Sequence, residues 1–166
     1  WWSGIGNGLI ITGNYTTITN TTVTDNSNYG LDITGSNNTI SNTTITDNWV
    51  GIYLAGSNNV LEGNTFEGDG LVVGGDYYEV VANDTVNGEP LVYLYNASDV
   101  LVGYAGQVIA MNSRDIKLIN MNLSYASVGV EFWNVNDSEI ENITANGNGD
   151  YGIEITGSNT IITNST

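Results

Sequence analysis

Short apolar segments are separated by polar corners along the whole chain, and they recur at a regular distance. Within each segment apolar and polar residues alternate, which is the period of a β-strand rather than of a helix. Each of six segments follows a glycine: Gly8, Gly30, Gly51, Gly70, Gly129 and Gly152. Successive glycines are 22, 21, 19, 59 and 23 residues apart. A repeat of this length indicates a solenoid built from stacked turns.

Each repeat contains three apolar segments, which predict three short strands per turn. The second repeat has Leu31 and Ile33, then Ile40, then Ile45, and the first repeat has apolar residues at the matching positions. Because a single turn cannot bury its apolar face, the turns must stack. The pattern predicts an all-β fold, a right-handed single-stranded parallel β-helix (a three-sided β-solenoid). It would have about seven turns of roughly 22 residues in one domain, 1–166.

Asparagine marks the corners between the predicted strands. It tolerates left-handed backbone angles, and stacked asparagine side chains can bond to one another from turn to turn. The corner positions are Asn14, Asn20, Asn26, Asn37, Asn42, Asn48, Asn58, Asn136, Asn159 and Asn164. We therefore interpret the asparagine content as mainly structural.

The repeat is interrupted between residues 76 and 105. From Gly70 to Gly106 there are 36 residues, about 14 more than one turn requires. The segment contains Asn87-Gly88, a strong turn signal. We expect a lateral excursion here, as a loop or a hairpin.

The recurrent pattern Gly-Ile-x-Leu/Ile, Ser-Asn-Asn-x-Ile, Asn-x-Thr-Ile resembles the NosD-like right-handed parallel β-helix repeat proteins. These belong to the wider group of β-helix carbohydrate-binding proteins and sugar hydrolases. Segments 83–93 and 105–109 resemble an insertion of archaeal surface members, so the resemblance implies an archaeal surface protein. Copper-binding members imply a metal role, but this chain has no His or Cys and only Met111 and Met121, which argues against copper.

The charge of the chain is one-sided. The chain has 18 acidic residues and only two basic ones, Arg114 and Lys117, so its net charge is −16. This balance argues against nucleic acid and anionic membranes as partners. The absence of Cys and His excludes disulfides and Cys/His catalytic pairs. No apolar stretch reaches 18 residues, so we expect no insertion into a membrane.

Acidic residues recur at matching positions of successive repeats. Glu131 and Glu154 each lie two residues after their glycine and are expected to face outward. Asp25 and Asp47 lie seventeen residues after theirs, and Asp69 lies eighteen after. Stacked carboxylates can attract Ca²⁺, so these five are weak calcium candidates beside the simpler interpretation of a solvated acidic face. No other cofactor is predicted.

Three aromatic residues precede the repeat glycines: Tyr29, Trp49 and Tyr151. Their rings could stack on sugars or pack along a corner. A lyase acting on acidic polysaccharide would use Arg114 or Lys117, and a hydrolase would use paired acids. Because Asp115 lies beside Arg114, a local ion pair explains these residues, and we predict no catalytic residue and no enzyme.

Ten Asn-x-Ser/Thr sequences are potential N-glycosylation sites. Those at Asn20, Asn42 and Asn164 are expected in side-chain ladders, where they would be unavailable. The remaining candidates are Asn14, Asn37, Asn83, Asn96, Asn122, Asn136 and Asn142, with Asn83 and Asn96 in the excursion as the best acceptors.

The two ends of the sequence complement each other. Gly152 to Thr166 is 15 residues and Trp1 to Asn7 is seven, which together make one repeat of 22. We expect the last turn of one copy to be completed by the N-terminus of the next, in a head-to-tail contact that yields filaments. The expected interface residues are Trp1, Trp2, Ile5, Ile153, Ile155, Ile161 and Ile162.

Our first interpretation is an extracellular, glycosylated structural protein, a β-solenoid subunit of a cell-surface filament or layer. Its partner would be itself, with surface glycans as a second partner. The alternative is a carbohydrate-binding or adhesin module. A second alternative is a relative of polysaccharide lyases or hydrolases.

Overall fold

The computed structural model describes residues 6–75 and 77–166, in which every regular element is a β-strand. The strands are β1 Leu9–Ile11, β2 Thr17–Thr19, β3 Thr22–Thr24, β4 Tyr29–Ile33, β5 Thr39–Ser41, β6 Thr44–Thr46, β7 Val50–Leu54, β8 Val60–Glu62, β9 Thr65–Glu67, β10 Leu71–Val73, β11 Val80–Ala82, β12 Thr85–Val86, β13 Glu89–Tyr95, β14 Ser98–Val102, β15 Gln107–Met111, β16 Arg114–Asn122, β17 Val128–Asn136, β18 Glu139–Thr144, β19 Tyr151–Ser158 and β20 Ile161–Thr163. The predicted fold class is confirmed, since the chain is an all-β parallel solenoid of about seven turns spaced about 22 residues apart.

Strands β1 to β12 form what we call the first stack. Each of its turns contributes three strands, one to each of three walls. The walls are β1-β4-β7-β10, β2-β5-β8-β11 and β3-β6-β9-β12, and all pairs within them are parallel. The register places like residues above one another, as in the column Val23, Ile45, Phe66 and Val86. These apolar columns point to a shared interior, where Ile45, Phe66 and Val86 are fully buried.

The repeat glycines stack directly on one another. A Cβ atom on Gly30 would lie 2.6 Å from the carbonyl oxygen of Gly51, and one on Gly51 would lie 2.6 Å from that of Gly70. No side chain fits between backbones this close. Steric exclusion, rather than an unusual backbone angle, therefore explains why a glycine opens each repeat.

The corner asparagines adopt the expected left-handed backbone at most positions. Asn37, Asn58 and Asn159 have φ angles of 56–58°, as do their counterparts Asn20, Asn42 and Asn164 at 49–51°. At the corners of Asn26 and Asn48 the left-handed residues are instead Asp25 and Asp47, and at those of Asn14 and Asn136 they are Tyr15 and Asp137. At the corners of Asn14 and Asn136, the left-handed residue lies seven or eight residues after the repeat glycine, one residue beyond the asparagine.

The chain reverses direction at the predicted Asn87-Gly88 turn. Both residues have positive φ, 52° and 82°, and β13 pairs with β12 in antiparallel fashion. The sequence predicts an excursion from one continuous solenoid within 76–105. In the structure, residues 77–105 instead supply the last strands of the first stack, the hairpin, and the first two strands of another stack.

Strands β13 to β20 form this second stack. Its walls are β13-β15-β17-β19 and β14-β16-β18-β20, again with parallel pairing. Its interior is a separate apolar core that includes Val130, Phe132, Leu118 and Ile140, all fully buried. The spacing of about 22 residues returns here, because Val108 pairs with Val130.

The second stack covers the end of the first stack instead of extending it. Side chains of β15 alternate between two cores: Val108 and Ala110 lie in the second, whereas Ile109 and Met111 lie in the first. The side-chain amide of Gln107 makes the two hydrogen bonds that a neighbouring strand would make to Leu71. Its Oε1 accepts from the Leu71 N–H (3.0 Å) and its Nε2 donates to the Leu71 carbonyl (2.5 Å). The backbone edge of β10 is thereby satisfied by side chains of the other stack.

Candidate functional site

Buried side chains at the three corners of the first stack form hydrogen-bonded corner columns. In each, the backbone N–H of one turn donates to the side-chain oxygen of the next. The Asn26 N–H donates to Oδ1 of Asn48, and the Asn48 N–H donates to Oδ2 of Asp69, both at 3.0 Å. The other two columns are Thr16, Asn38, Asn59, Glu79 and Thr43, Asn64, Asp84.

All three corner columns end in a carboxyl group, namely Asp69, Glu79 and Asp84. In its ionised form a carboxyl group only accepts hydrogen bonds, whereas in its protonated form it carries one donor. The sequence grouped Asp69 with Asp25 and Asp47, but the structure aligns it with Asn48.

Burial changes the acidity of these three groups. Loss of hydration raises the pKa of Asp69 and of Asp84 to about 6, and that of Glu79 to about 7. The hydrogen bonds from Asn48, Asn64 and Asn59 act in the opposite direction but are outweighed. One oxygen of each carboxyl is buried without a hydrogen-bond partner. The end of the first stack thus favours the protonated form at mildly acidic pH.

Glu131 is a fourth buried acid at the same junction. It accepts from the Val73 N–H (3.2 Å) and from Nε1 of Trp133 (2.6 Å), and burial raises its pKa to about 8. It lies in register with Glu154, as the spacing predicts. Both point out of the second stack, but Glu131 is covered by the first stack whereas Glu154 is half-buried.

The five calcium candidates are not brought together. Asp25 and Asp47 are exposed at one corner of the first stack, Asp69 ends a buried column, and Glu131 and Glu154 lie in the second stack. In the part of the chain that the structure describes, no three His, Cys, Asp or Glu side chains are placed to hold a metal ion.

The candidate glycosylation sites lie on the surface. Asn14, Asn37, Asn83, Asn96, Asn122 and Asn142 are exposed and Asn136 is half-exposed. Asn20, Asn42 and Asn164 are exposed as well, although the sequence suggests that they are locked in ladders. The buried ladders use neighbouring asparagines instead: Asn38, Asn48, Asn59 and Asn64. Exposure therefore does not distinguish the seven predicted glycosylation sites from Asn20, Asn42 and Asn164.

The aromatic rings on and beside strands β4 and β7 stack on one another. Tyr29 lies parallel to Tyr53, with ring centroids 5.0 Å apart, and to Trp49 at 6.4 Å. Nε1 of Trp49 donates to the Gly149 carbonyl (2.6 Å), which ties the two stacks together. Burial, then Tyr53 and nearby acids, raises the pKa of Tyr29. Tyr151 is exposed on β19.

The two basic residues form exposed ion pairs. Arg114 lies 3.8 Å from Asp115, and Lys117 lies 2.8 Å from Glu139 and 3.7 Å from Glu141. Each basic side chain is therefore paired with acids of its own surface.

Four of the expected interface residues are described, and three of them line the open edge of the last turn. Ile153, Ile155 and Ile162 face the second core, as their pairing with Val130, Phe132 and Ile140 shows. Ile161 pairs with Glu139 on the outer surface instead. Trp1, Trp2 and Ile5 lie outside the described residues.

A pocket of about 340 Å³ lies where the hairpin meets the second stack. Glu89, Asn87, Asn122 and Tyr125 line it, and a neighbouring pocket of about 170 Å³ shares Glu89 and Asn122. Sequence reasoning missed this site. The Asn87-Gly88 signal located the turn, but not the stack that packs beside it.

The described residues contain no apolar helix of membrane-spanning length. Comparison with known proteins gives no significant match to a curated protein or to a solved structure. Residues 2–102 match the family model described as a right-handed β-helix region. That match covers more than half of the chain, including the whole first stack and the first turn of the second. The chain therefore belongs to the right-handed β-helix family.

Proposed function

We propose that this chain is an extracellular structural subunit that assembles head to tail, with the first turn of one copy stacked on the last turn of the next. The surface position of its glycosylation sequences supports a location outside the cell. The direction of the corner columns carries the proposal, because it makes the two ends complementary.

The corner columns have the same direction in both stacks. The Asn26 N–H donates forward to Asn48 in the first stack, and the Ala126 N–H donates forward to Asn148 in the second (2.8 Å). Buried serines continue the rule, since the Ile116 N–H donates to Ser138 (3.0 Å). Among the described residues, the backbone N–H groups that donate backward to a side chain belong to more exposed corner residues, as Ser36 does to Asn14. A first turn thus offers side-chain acceptors and a last turn offers N–H donors.

The two end turns also match in their apolar edges. Among the described residues, β1 pairs only with β4 and β20 only with β18, so each strand has one unpaired side. Leu9 and Ile162 face the interior but are 41% and 48% exposed, whereas their neighbours in the columns, Leu31 and Ile140, are fully buried. Stacking one turn on the other would bury both residues.

The experiment uses a charge placed on either edge. Leu9→Asp should block the first turn and Ile162→Asp the last turn, because stacking would bury an unpaired carboxylate. Light scattering and electron microscopy of the wild type at rising concentration should show filaments. Each variant alone should stay monomeric, and an equimolar mixture should stop at dimers, since it contains one intact pair of ends.

Matched controls come from the adjacent residues. Ile10 and Ile161 are 65% and 61% exposed but point outward, so Ile10→Asp and Ile161→Asp should assemble like the wild type. Circular dichroism would verify that all four variants are folded. A wild type that stays monomeric at high concentration and high salt overturns the proposal, as does a mixture that forms no dimers.

The stacked rings of Tyr29, Tyr53 and Trp49 favour a second candidate function, carbohydrate binding. Aromatic faces of this kind can pack against sugar rings, and Trp49 is 46% exposed. Saturable binding on a glycan array that is lost in Tyr53→Ala but kept in Tyr15→Ala would support this function. Tyr15 is a suitable control because it is 80% exposed and lies on the same stack.

A further inference from the structure

The pocket beside the hairpin combines one carboxyl group with two exposed tyrosine rings. Glu89 lines both parts of it, with Tyr125 on one side and Tyr104 on the other. The two rings are 65% and 66% exposed. One carboxyl group is thus shared by two adjoining pockets, each of which has one exposed tyrosine ring.

The carboxyl group of Glu89 is incompletely satisfied. The adjacent Glu89 carboxyl group raises the pKa of the Tyr104 hydroxyl, and Oε2 of Glu89 is shielded from solvent without a hydrogen-bond partner in the part of the chain that the structure describes. Both basic side chains pair with acids elsewhere: Arg114 with Asp115, and Lys117 with Glu139. Glu89 therefore lacks a counter-charge within the described residues, and although its side chain is only half-buried, a shielded oxygen without a hydrogen-bond donor is unfavourable.

The other side chains of the pocket are already partly committed. Nδ2 of Asn87 donates to the carbonyls of Ser124 and Tyr125, both at 3.1 Å, and Oδ1 of Asn122 accepts from the Ser124 hydroxyl (2.6 Å). These bonds fix the walls of the pocket. Among the described polar groups of the pocket, Oε2 of Glu89 is the one that lacks a hydrogen-bond donor.

We propose that this pocket binds a small primary alkylamine, whose ammonium group pairs with Glu89 while its alkyl chain lies between Tyr104 and Tyr125. An ammonium group supplies both the N–H donor and the positive charge that the carboxylate lacks. Tyrosine faces attract a cation and pack against methylene groups. Because Tyr104 is largely exposed, its ring can turn aside to admit the ligand. The net charge of −16 raises the local concentration of cations.

The test is a titration of the whole chain with butylammonium chloride at constant ionic strength, followed by amide NMR shifts. Saturable shifts should centre on the amides of Gly106 and Tyr125. The affinity obtained from these shifts should be at least tenfold lower in Glu89→Gln than in the wild type. Glu62→Gln removes the same charge from an exposed residue of β8 that lines neither pocket, and this variant should bind like the wild type. Tetramethylammonium, which has no N–H donor, should bind at least tenfold more weakly.

Three results would overturn the proposal. Equal loss in the Glu89 and Glu62 variants would mean that the amine is a diffuse counter-ion. Equal binding of tetramethylammonium would remove the role of the free carboxylate oxygen. Equal shifts with glycerol would indicate a site for neutral polyols. Thermal unfolding of both variants would establish that each is folded before its binding is compared.

Discussion

Asn48 donates two hydrogen bonds to the same oxygen of Asp69, from its backbone N–H (3.0 Å) and from its side-chain Nδ2 (2.7 Å). The pair marks the place where a corner column ends and the second stack begins. Asn64 and Asp84 repeat the arrangement at another corner, at 2.7 and 2.8 Å. The end of the first stack is therefore built from buried acids that accept bonds from the turn beneath them.

Stability should decrease as the pH rises from about 4 to about 8. The pKa values of Asp69 and Asp84 are raised to about 6, that of Glu79 to about 7 and that of Glu131 to about 8, all mainly by burial. The folded state therefore binds protons more tightly than the unfolded state in this range, so deprotonation favours unfolding. Denaturant midpoints measured at pH 4, 6 and 8 would check the trend.

Neutral variants provide the control for this pH dependence. Glu131→Gln should make the stability profile flatter between pH 5 and 8, because it removes one of the raised groups. Glu139→Gln changes a surface acid paired with Lys117 and should leave the slope in this range unchanged. A wild-type stability that is constant or increases between pH 4 and 8 would show that these acids do not control unfolding.

Removing the acceptor at the end of a corner column should destabilise the protein. Asp69→Ala leaves the Asn48 N–H and amide without their acceptor, which costs about 1–3 kcal/mol for a buried donor. Asp69→Asn keeps an oxygen acceptor and removes the charge, so at pH 8 it should be more stable than Asp69→Ala. Equilibrium unfolding in urea would measure both. Equal stability of the two variants would contradict the assigned role.

The glycine column should not accept a methyl group. Gly51→Ala places Cβ 2.6 Å from the Gly70 carbonyl oxygen, so the turns must separate, at a cost of about 1–3 kcal/mol or more. Gly13→Ala is the matched control, because its nearest neighbour is the Thr16 hydroxyl at 3.9 Å. Thermal melts should show a lower midpoint for the first variant and little change for the second.

Gln107 should hold the two stacks together through Leu71. Gln107→Met has a similar volume but leaves the Leu71 N–H and carbonyl unpaired, at about 1–3 kcal/mol for each buried group. We expect faster hydrogen exchange at the Leu71 amide, whereas the Leu31 amide, inside the first stack, should retain its protection at matched global stability. Unchanged exchange at Leu71 would mean that the glutamine is dispensable.

Exposed sequences in the hairpin region should be glycosylated first when the chain is secreted from a glycosylating host. Asn83 and Asn96 are exposed at corners, whereas Nδ2 of Asn142 donates to Asn120 (2.7 Å) and Oδ1 of Asn136 accepts from Ser158 (2.9 Å). Mass spectrometry of glycopeptides should find higher occupancy at the first two. The reverse order would show that these hydrogen bonds do not limit the acceptors.

The walls of the solenoid follow from the local pattern of residues alone. A glycine, two alternating apolar residues and an asparagine corner recur at one spacing, and that spacing assigns Ile33, Ile40 and Ile45 to three inward-facing strands. The reason is local: a turn of this length has one way to place its apolar side chains inward, and steric exclusion between stacked backbones selects glycine. The left-handed corners follow from the same local geometry.

The point at which the first stack ends, and what covers that end, depend on contacts between residues that are distant in sequence. The strand Gln107–Met111 is apolar on both faces, which a sequence pattern cannot assign to two separate cores. Asp69, Glu79 and Glu131 resemble other surface acids in the sequence, and they become buried because the outer face of the second stack lies across the end of the first. That contact depends on residues distant in sequence, as Gln107 and Leu71 are, and no repeat encodes it.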